Sequence, residues 1–545
     1  MLFRSACKYS NHFVYWSLAI IVLALASGIP AAAQVSVTTY HYDNYRTGWN
    51  SQETVLTPNA VHSSSFGVLK TVTLDDQVDA QPLVVPNVNI TAGKYQDSVH
   101  TVVYVATDNN SIYAIDATTG TVLLQPNFGP PVVRPLSCGK NNPDVGINST
   151  PVIDLTSNTL YAIVYTQQST GPAYFVHALD LGSLTDKVTP QLVTGSHTLT
   201  NGKTFTFNGT YQRQRPALLL ANGSVYAAFG SFCDRSPNLS RGFVLGWQTG
   251  SLTPLPGNQL MDTQATDTGQ YFLSSIWMSG YGPAADDSGN VLFVTSNSDP
   301  SGTTYDGVTN IQESVVQVSP DLTTVLDLFT PDNVGYMDEN DLDFGSGGVM
   351  VLPDQPGSIP HLAVAAGKLG SMFFMNEDDL GGYSTTENNV LGTYSIGGCW
   401  CGPSYFVDPK DGAARVVSSG GTTIIVWKVL TAPSPSLMEV ASSPALNTVG
   451  TGFFTSVSSN GTANPVIWAL SRPTGKQTAV YLYAFSPDLG GTTLKQLFMG
   501  TAGTWVVNGT NSNLVPVVAN GKVFVASYKE LVILGVKPKS GATKN

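Results

Sequence analysis

A short β pattern returns eight times along this chain, and it limits the possible folds more than any other feature. It reads VVYVAT at 102–107, TLYAIV at 159–164, SVYAAF at 224–229 and VLFVTS at 291–296. It continues as HLAVAA at 361–366, RVVSS at 415–419, VIWALS at 466–471 and KVFVAS at 522–527. Its central positions run from Tyr104, Tyr161 and Tyr226 to Trp468 and Phe524, 52 to 70 residues apart. A period of that length marks a repeat architecture in which each unit is one supersecondary element.

Each unit carries further strands. A segment that usually opens with proline and closes in a tight turn precedes the pattern, as in QPLVVPN (81–87), TPVIDLTSN (150–158) and RPALLLANG (215–223). A third strand follows, as in SIYAIDATTG (111–120) and YFVHALDLGS (174–183), and then a weaker fourth such as TVLLQPN (121–127). No amphipathic helix of useful length interrupts them. Four antiparallel strands in each of eight units specify an all-β chain, an eight-bladed β-propeller. A lone four-stranded sheet cannot bury both faces; blades around an axis can, and closing the ring hides the edges. Blade seven is the least marked, with FFTSVSSNG (453–461) as its expected inner strand. The C-terminal region supplies three strands, so GVLKTVTL (67–74) is expected to add the outer strand that closes the ring.

The repeat VVYVATDNNSIYAIDATTGTVLL resembles that of the pyrroloquinoline-quinone-type, or quinoprotein-like, eight-bladed propellers. The upstream YDNYRTGWNSQETVLTPNAV (42–61) is similar to the lead-in segment of exported bacterial members, and GINSTPVID, RPALLL and DLDFGSGG resemble one branch of them. The likeness runs from about residue 40 to 537. It speaks for the fold; activity belongs to sites.

The N-terminus reads as an export signal. Arg4 and Lys8 precede the apolar run FVYWSLAIIVLALASG (13–28), and AAAQ (31–34) offers cleavage after Ala33. The expected organisation is a signal peptide at 1–33, a lead-in at 34–66, the propeller at 67–537 and a tail at 538–545. The product is expected to be periplasmic or extracellular, a monomer without a membrane span. Only 11% of residues are charged, the net charge is −12, and no basic cluster occurs. That balance excludes phosphate-backbone binding to nucleic acid. Sequons such as those at Asn148 and Asn208 matter only in a host that glycosylates.

Strand alternation puts the loops between blades (D–A, with strands A to D from the axis outward) and the B–C loops on one face. Those loops are often long, whereas A–B and C–D connections are mostly short turns. Long loops on a rigid scaffold favour binding there. Cleavage leaves Cys138, Cys233, Cys399 and Cys401, all on that face. An even count in an exported chain favours disulfides. Cys138–Cys233 would join loops of blades two and three, leaving Cys399–Cys401 as a tight ring. A redox or ligand-contacting role and metal binding are the alternatives, although the spacing is not that of a zinc pair.

The resemblance implies a flat, tricarboxylated quinone and calcium. These need an aromatic or disulfide face, cations for the carboxylates, oxygen ligands for the metal and a carboxylate base. Trp277 and Trp400 are the candidates for stacking, Arg215 and Lys368 for the carboxylates, and Asp341 and Asp343 for a cation or the base. Each also has a plain reading: Trp277 as a core or blade-packing aromatic, the two aspartates as turn caps or acceptors of backbone N–H groups, Lys368 as a solvated residue, Arg215 as an inter-blade donor. The loop SDPSGTTYDG reads as a turn or a calcium loop. The chain departs from the family's alcohol dehydrogenases in having Cys-Trp-Cys where they carry adjacent cysteines, and in lacking a tryptophan after the TG turn. The leading reading is therefore a scaffold whose loop face, with aromatics such as Tyr281, binds a protein, a glycan or a small molecule. The alternative is a dehydrogenase of alcohols or sugars dependent on pyrroloquinoline quinone and calcium. No nucleophile elbow or phosphate loop is present.

Overall fold

The computed structural model describes residues 34–139, 142–234, 239–265, 271–473, 477–488, 491–506 and 514–538. The expected signal peptide and most of the expected tail lie outside them. Eight antiparallel sheets form the blades. Blade one comprises Leu83–Ile90, Ser98–Ala106, Ile112–Asp116 and Val122–Leu124; blade eight comprises Val517–Ala519, Lys522–Ala526, Tyr528–Val536 and Phe66–Gln77. In blade eight, Phe66–Gln77 pairs antiparallel with Tyr528–Val536, so an N-terminal strand closes the ring. Thr455–Asn460 is the inner strand of blade seven, and Trp49–Asn50 adds to it in parallel. Blade four gains an unforeseen fifth strand, Gly382–Tyr383, parallel to Val325–Thr330. Among the described residues the α-helices are short, Pro58–His62 and Val334–Glu339. None is long and apolar enough to cross a membrane.

The core is a ring of layers between blades. One buried cluster joins Tyr104 and Ala114 to Leu160 and Leu179, across blades one and two. Another joins Tyr161 and Val176 to Val225 and Phe243, across blades two and three. The repeated tyrosine explains its own recurrence. Its ring enters the layer and its hydroxyl reaches the C–D turn of the next blade. Tyr104 Oη donates to Leu181 O at 2.7 Å, Tyr226 Oη donates to Pro320 O at 2.7 Å, and Tyr161 Oη accepts from Gly250 N at 3.1 Å.

Residues 35–50 do more than lead in. They cross the axial channel and hydrogen-bond to every blade in turn. Val35 N donates to Asn520 Oδ1 in blade eight and Val37 N to Val84 O in blade one, both at 2.7 Å. Ile153 N of blade two donates to Thr38 O at 2.8 Å, and Asn44 Nδ2 donates to Leu220 O of blade three at 2.9 Å. Ala285, Val351, Tyr405 and Val457, in blades four to seven, donate backbone N–H groups to Asn44, Tyr45, Thr47 and Gly48. Arg46 is fully buried and donates to Pro283 O, Thr39 Oγ1, Tyr40 O, Asp43 O and Leu218 O. Gly48 has φ +65°, and a β-carbon there would lie 2.9 Å from both His41 Nδ1 and Ser404 Oγ. The plug must turn there with no side chain.

Candidate functional site

One cavity of about 260 Å³ opens among the long loops, and all six candidate side chains line it: Arg215, Trp277, Asp341, Asp343, Lys368 and Trp400. Arg213, Cys138, Cys233 and Asp234 complete its chemistry. Apart from Arg213 and Arg215, which belong to the interrupted inner strand of blade three, these residues come from D–A or B–C loops of blades two to six. The volume is just under the roughly 300–1,000 Å³ of small-molecule pockets.

The cationic wall is Arg213, in the inner-strand segment Gln212–Gln214 of blade three, and Arg215, in the break before the next segment, Leu219–Ala221. Both are buried, at 4% and 7% exposure. Among the described residues, Arg213 Nε and Nη2 and Arg215 Nε have no hydrogen-bond partner. Burial lowers the pKa of both, that of Arg215 to about 9, which leaves them charged at neutral pH. A buried guanidinium with idle donors costs free energy unless an acceptor arrives.

The acidic wall faces it. Ligand oxygens of Asp234, Asp341 and Asp343 lie within 4.8 Å of one another, the single such acidic group among the described residues. Lys368 Nζ bridges them, 2.9 Å from Asp341 Oδ1 and paired with Asp343 Oδ2. Burial alone would lower the Lys368 pKa, but Asp343 and Asp341 outweigh it and hold the ammonium charged. Burial raises the Asp343 pKa, opposed by Lys368. Burial, then Asp343, push Asp234 up to about 8. Asn297 N approaches Asp343 Oδ1 at 3.4 Å, and the buried Asn297 Oδ1 has no partner among the described residues. Behind them, Phe344 N donates to Glu313, whose other oxygen is also unpartnered among the described residues and whose pKa burial raises.

Both expected disulfides are present, Cys138–Cys233 with Cα atoms 5.6 Å apart and Cys399–Cys401 with 4.9 Å. Their places differ. Cys138–Cys233 lines the cavity, whereas Cys399 and Cys401 are buried in the layer between blades five and six. Their ring fixes a turn whose middle residue, Trp400, reaches the cavity. Trp400 N donates to Thr451 O at 2.7 Å, and Lys368 Nζ and Arg472 Cζ sit 5.5 and 5.0 Å from the indole centre. Trp277 Nε1 donates to Ser231 O at 3.3 Å, so this indole both packs and faces the cavity.

Several plain readings are corrected. Lys368 is ion-paired and largely buried, not solvated. Asp343 is fully buried and its side chain caps no helix, although its Oδ1 accepts from the backbone N–H of Asn297, the other half of its plain reading. Arg215 makes no inter-blade hydrogen bond among the described residues. Tyr281 is fully buried, donating to Arg46 O of the plug at 2.8 Å, so it offers nothing to a partner. The loop SDPSGTTYDG is a pair of turns: Asp299 Oδ1 accepts from Ser301 N, and Asp306 Oδ1 accepts from Val308 N and Thr309 N. Arg213, Asp234 and Asn297 escaped sequence reasoning. Arg213 is two residues from Arg215 and Asp234 adjoins Cys233, signals that strand phase and loop assignment could have caught.

No family model and no curated protein matches the sequence. Solved structures do. A quinohemoprotein alcohol dehydrogenase from Comamonas testosteroni has a TM-score of 0.59 at 12% identity, over 94% of this chain and 82% of that one. A quinohemoprotein alcohol dehydrogenase from Pseudomonas putida gives 0.59 at 12%, over 93% and 81%. A europium-containing methanol dehydrogenase gives 0.56 at 10%, over 92% and 98%. The chain therefore has the quinoprotein-like eight-bladed propeller fold. At such identities the likeness extends to fold alone.

Proposed function

We propose that the axial cavity is the cofactor and substrate site of a quinone-dependent dehydrogenase of alcohols or sugars. One observation carries this reading: two buried arginines with unpartnered donors share a small recess with a converging set of carboxylates. A flat partner surface needs no such arrangement, whereas a small ligand bearing acid groups satisfies it.

The residues fit pyrroloquinoline quinone with calcium. Arg213 and Arg215 would hold its carboxylates. Trp277 and the Cys138–Cys233 disulfide offer apolar faces. Asp234, Asp341 and the idle Asn297 amide oxygen are hard oxygen donors of the kind calcium takes, which leaves Asp343 for proton transfer. When bound, the quinone supplies a two-electron acceptor that the side chains lack. Asp343 is the group to take the proton of a substrate hydroxyl, because burial strengthens it as a base while its pairing with Lys368 opposes that rise. Trp400, held by its disulfide turn, limits the mouth and keeps the reacting groups together.

A second reading rests on Lys368. Its ammonium already neutralises the acidic wall, which favours binding of a small organic anion without metal or turnover. The test is a dye-linked assay on alcohols and sugars after loading with the quinone and calcium. Calcium-dependent turnover supports the dehydrogenase. Binding without turnover leaves the anion-binding reading, and absence of both binding and turnover refutes the quinone site.

A further inference from the structure

The face of short turns carries a second cavity, unrelated to the first. It holds about 250 Å³ between the A–B turn of blade four and the A–B and C–D connections of blade five. Five carboxylates line it, Asp286, Asp287, Asp354, Glu377 and Asp378, together with His361 and with Tyr45 from the channel plug. No lysine or arginine lines it.

Most of these acids have partners. Asp286 accepts from Asn290 N and Nδ2, both at 2.7 Å, and from Gln317 Nε2 at 3.0 Å. Asp287 accepts from Tyr45 Oη. Asp378 pairs with His361 Nδ1 at 2.9 Å, and Asp354 lies 3.9 Å from His361 Nε2. Glu377 differs. It is 7% exposed and lines the cavity, and its carboxyl oxygens, which make no side-chain hydrogen bond among the described residues, open onto that cavity. A buried, unpartnered acid in a cavity of like charge costs free energy until a cationic donor reaches it.

The spacing says what kind of cation. A metal ion needs oxygens that converge on a point. No three of these acids bring ligand atoms within 4.8 Å of one another, a condition met among the described residues only by Asp234, Asp341 and Asp343. Acids that do not converge on one point suit a ligand with several N–H donors better than a single ion. We propose that this cavity binds an organic cation, an ammonium or guanidinium group on an aliphatic stem, anchored by Glu377 and flanked by Asp286 and Asp287. The group reaches it on a free amine or on a basic side chain of a peptide; the chemistry is the same.

Binding would also move a proton. Burial and then Asp286 push the Glu377 pKa up to about 8, opposed by His361, with Asp378 and Asp287 adding to the rise. Asp354 faces the group from the blade-five A–B connection. An arriving cation favours the charged carboxylate, so binding near neutral pH releases a proton.

The experiment is calorimetric titration of the full-length protein with spermidine, argininamide and a trilysine peptide. It is run at low and high salt, in two buffers of different ionisation enthalpy, with calcium as the competing probe. The variant is Glu377→Gln, which keeps the shape and replaces the ionisable carboxyl with a neutral amide, so it is expected to fold. A 1:1 complex with proton release, weakened at least ~tenfold in Glu377→Gln, is the expected result. Preference for spermidine over trilysine identifies a free amine as the source, and the reverse a peptide. Absence of binding at low salt, undiminished binding by Glu377→Gln, or calcium binding that no organic cation displaces would each overturn the proposal.

Discussion

At the scale of single residues, the decisive groups are buried charges that lack a full set of partners. Asp343→Asn removes the proposed base while keeping its shape, and the quinone and calcium should still raise the thermal midpoint. Turnover should fall about 10²–10⁴-fold, the usual contribution of a positioned base, as dye-linked kinetics would show. His41 makes a different prediction. It is fully buried in the plug, and burial holds its pKa down at about 3 against 6.5 for the free side chain. The folded protein therefore keeps the ring neutral while the unfolded chain protonates. Its contribution is complete above pH 6.5 and is lost as pH falls toward 3. At pH 5 the loss is about 2 kcal/mol, from 1.4 kcal/mol per unit over the interval below the unfolded value. Chemical denaturation between pH 5 and 7 checks this; His41→Phe should flatten the slope by about one proton.

At the scale of elements, the plug at residues 35–50 distinguishes a packed axis from an open one. Arg46 ties together carbonyls from the plug and from blades three and four. Arg46→Met leaves those carbonyls buried without donors, and the expected loss is about 3–5 kcal/mol, read as a lower denaturation midpoint. Little of this was legible in the sequence. The segment has no period, and its ligands are backbone groups scattered over the whole chain, a pattern that leaves no local signature. The strands were legible for the opposite reason. Tyr104, Tyr161 and Tyr226 recur because the same inter-blade contact recurs, so one physical requirement is written many times. The site lies between these cases. Arg215, Trp277 and Lys368 stand out as rare residue types at loop–strand junctions. Asn297 does not, because an asparagine that holds an idle oxygen looks like one that makes a turn.

At the scale of the whole molecule, stability is a sum of neighbour contacts closed into a ring, with an N-terminal strand completing blade eight. Tyr226→Phe removes the bond to Pro320 O between blades three and four and should cost about 1 kcal/mol, measured by urea unfolding. Removing Phe66–Gln77 opens the ring and exposes the edge of Tyr528–Val536. The unfolding transition should then broaden and the chain self-associate, as size-exclusion chromatography with light scattering would detect. The two faces divide the chemistry: cations, carboxylates and indoles in the long-loop cavity, an acid-lined recess among the short turns. The long-loop cavity was legible as a face, through loop lengths, but its depth was not, because depth follows from how far each loop folds back over the axis. Calorimetric titration of pyrroloquinoline quinone into the purified protein, with and without calcium, tests that cavity. One site per chain is expected, strengthened by calcium and weakened at least ~tenfold by Arg215→Ala. No heat of binding under either condition, or equal affinity in Arg215→Ala, would contradict a quinone site at the propeller axis.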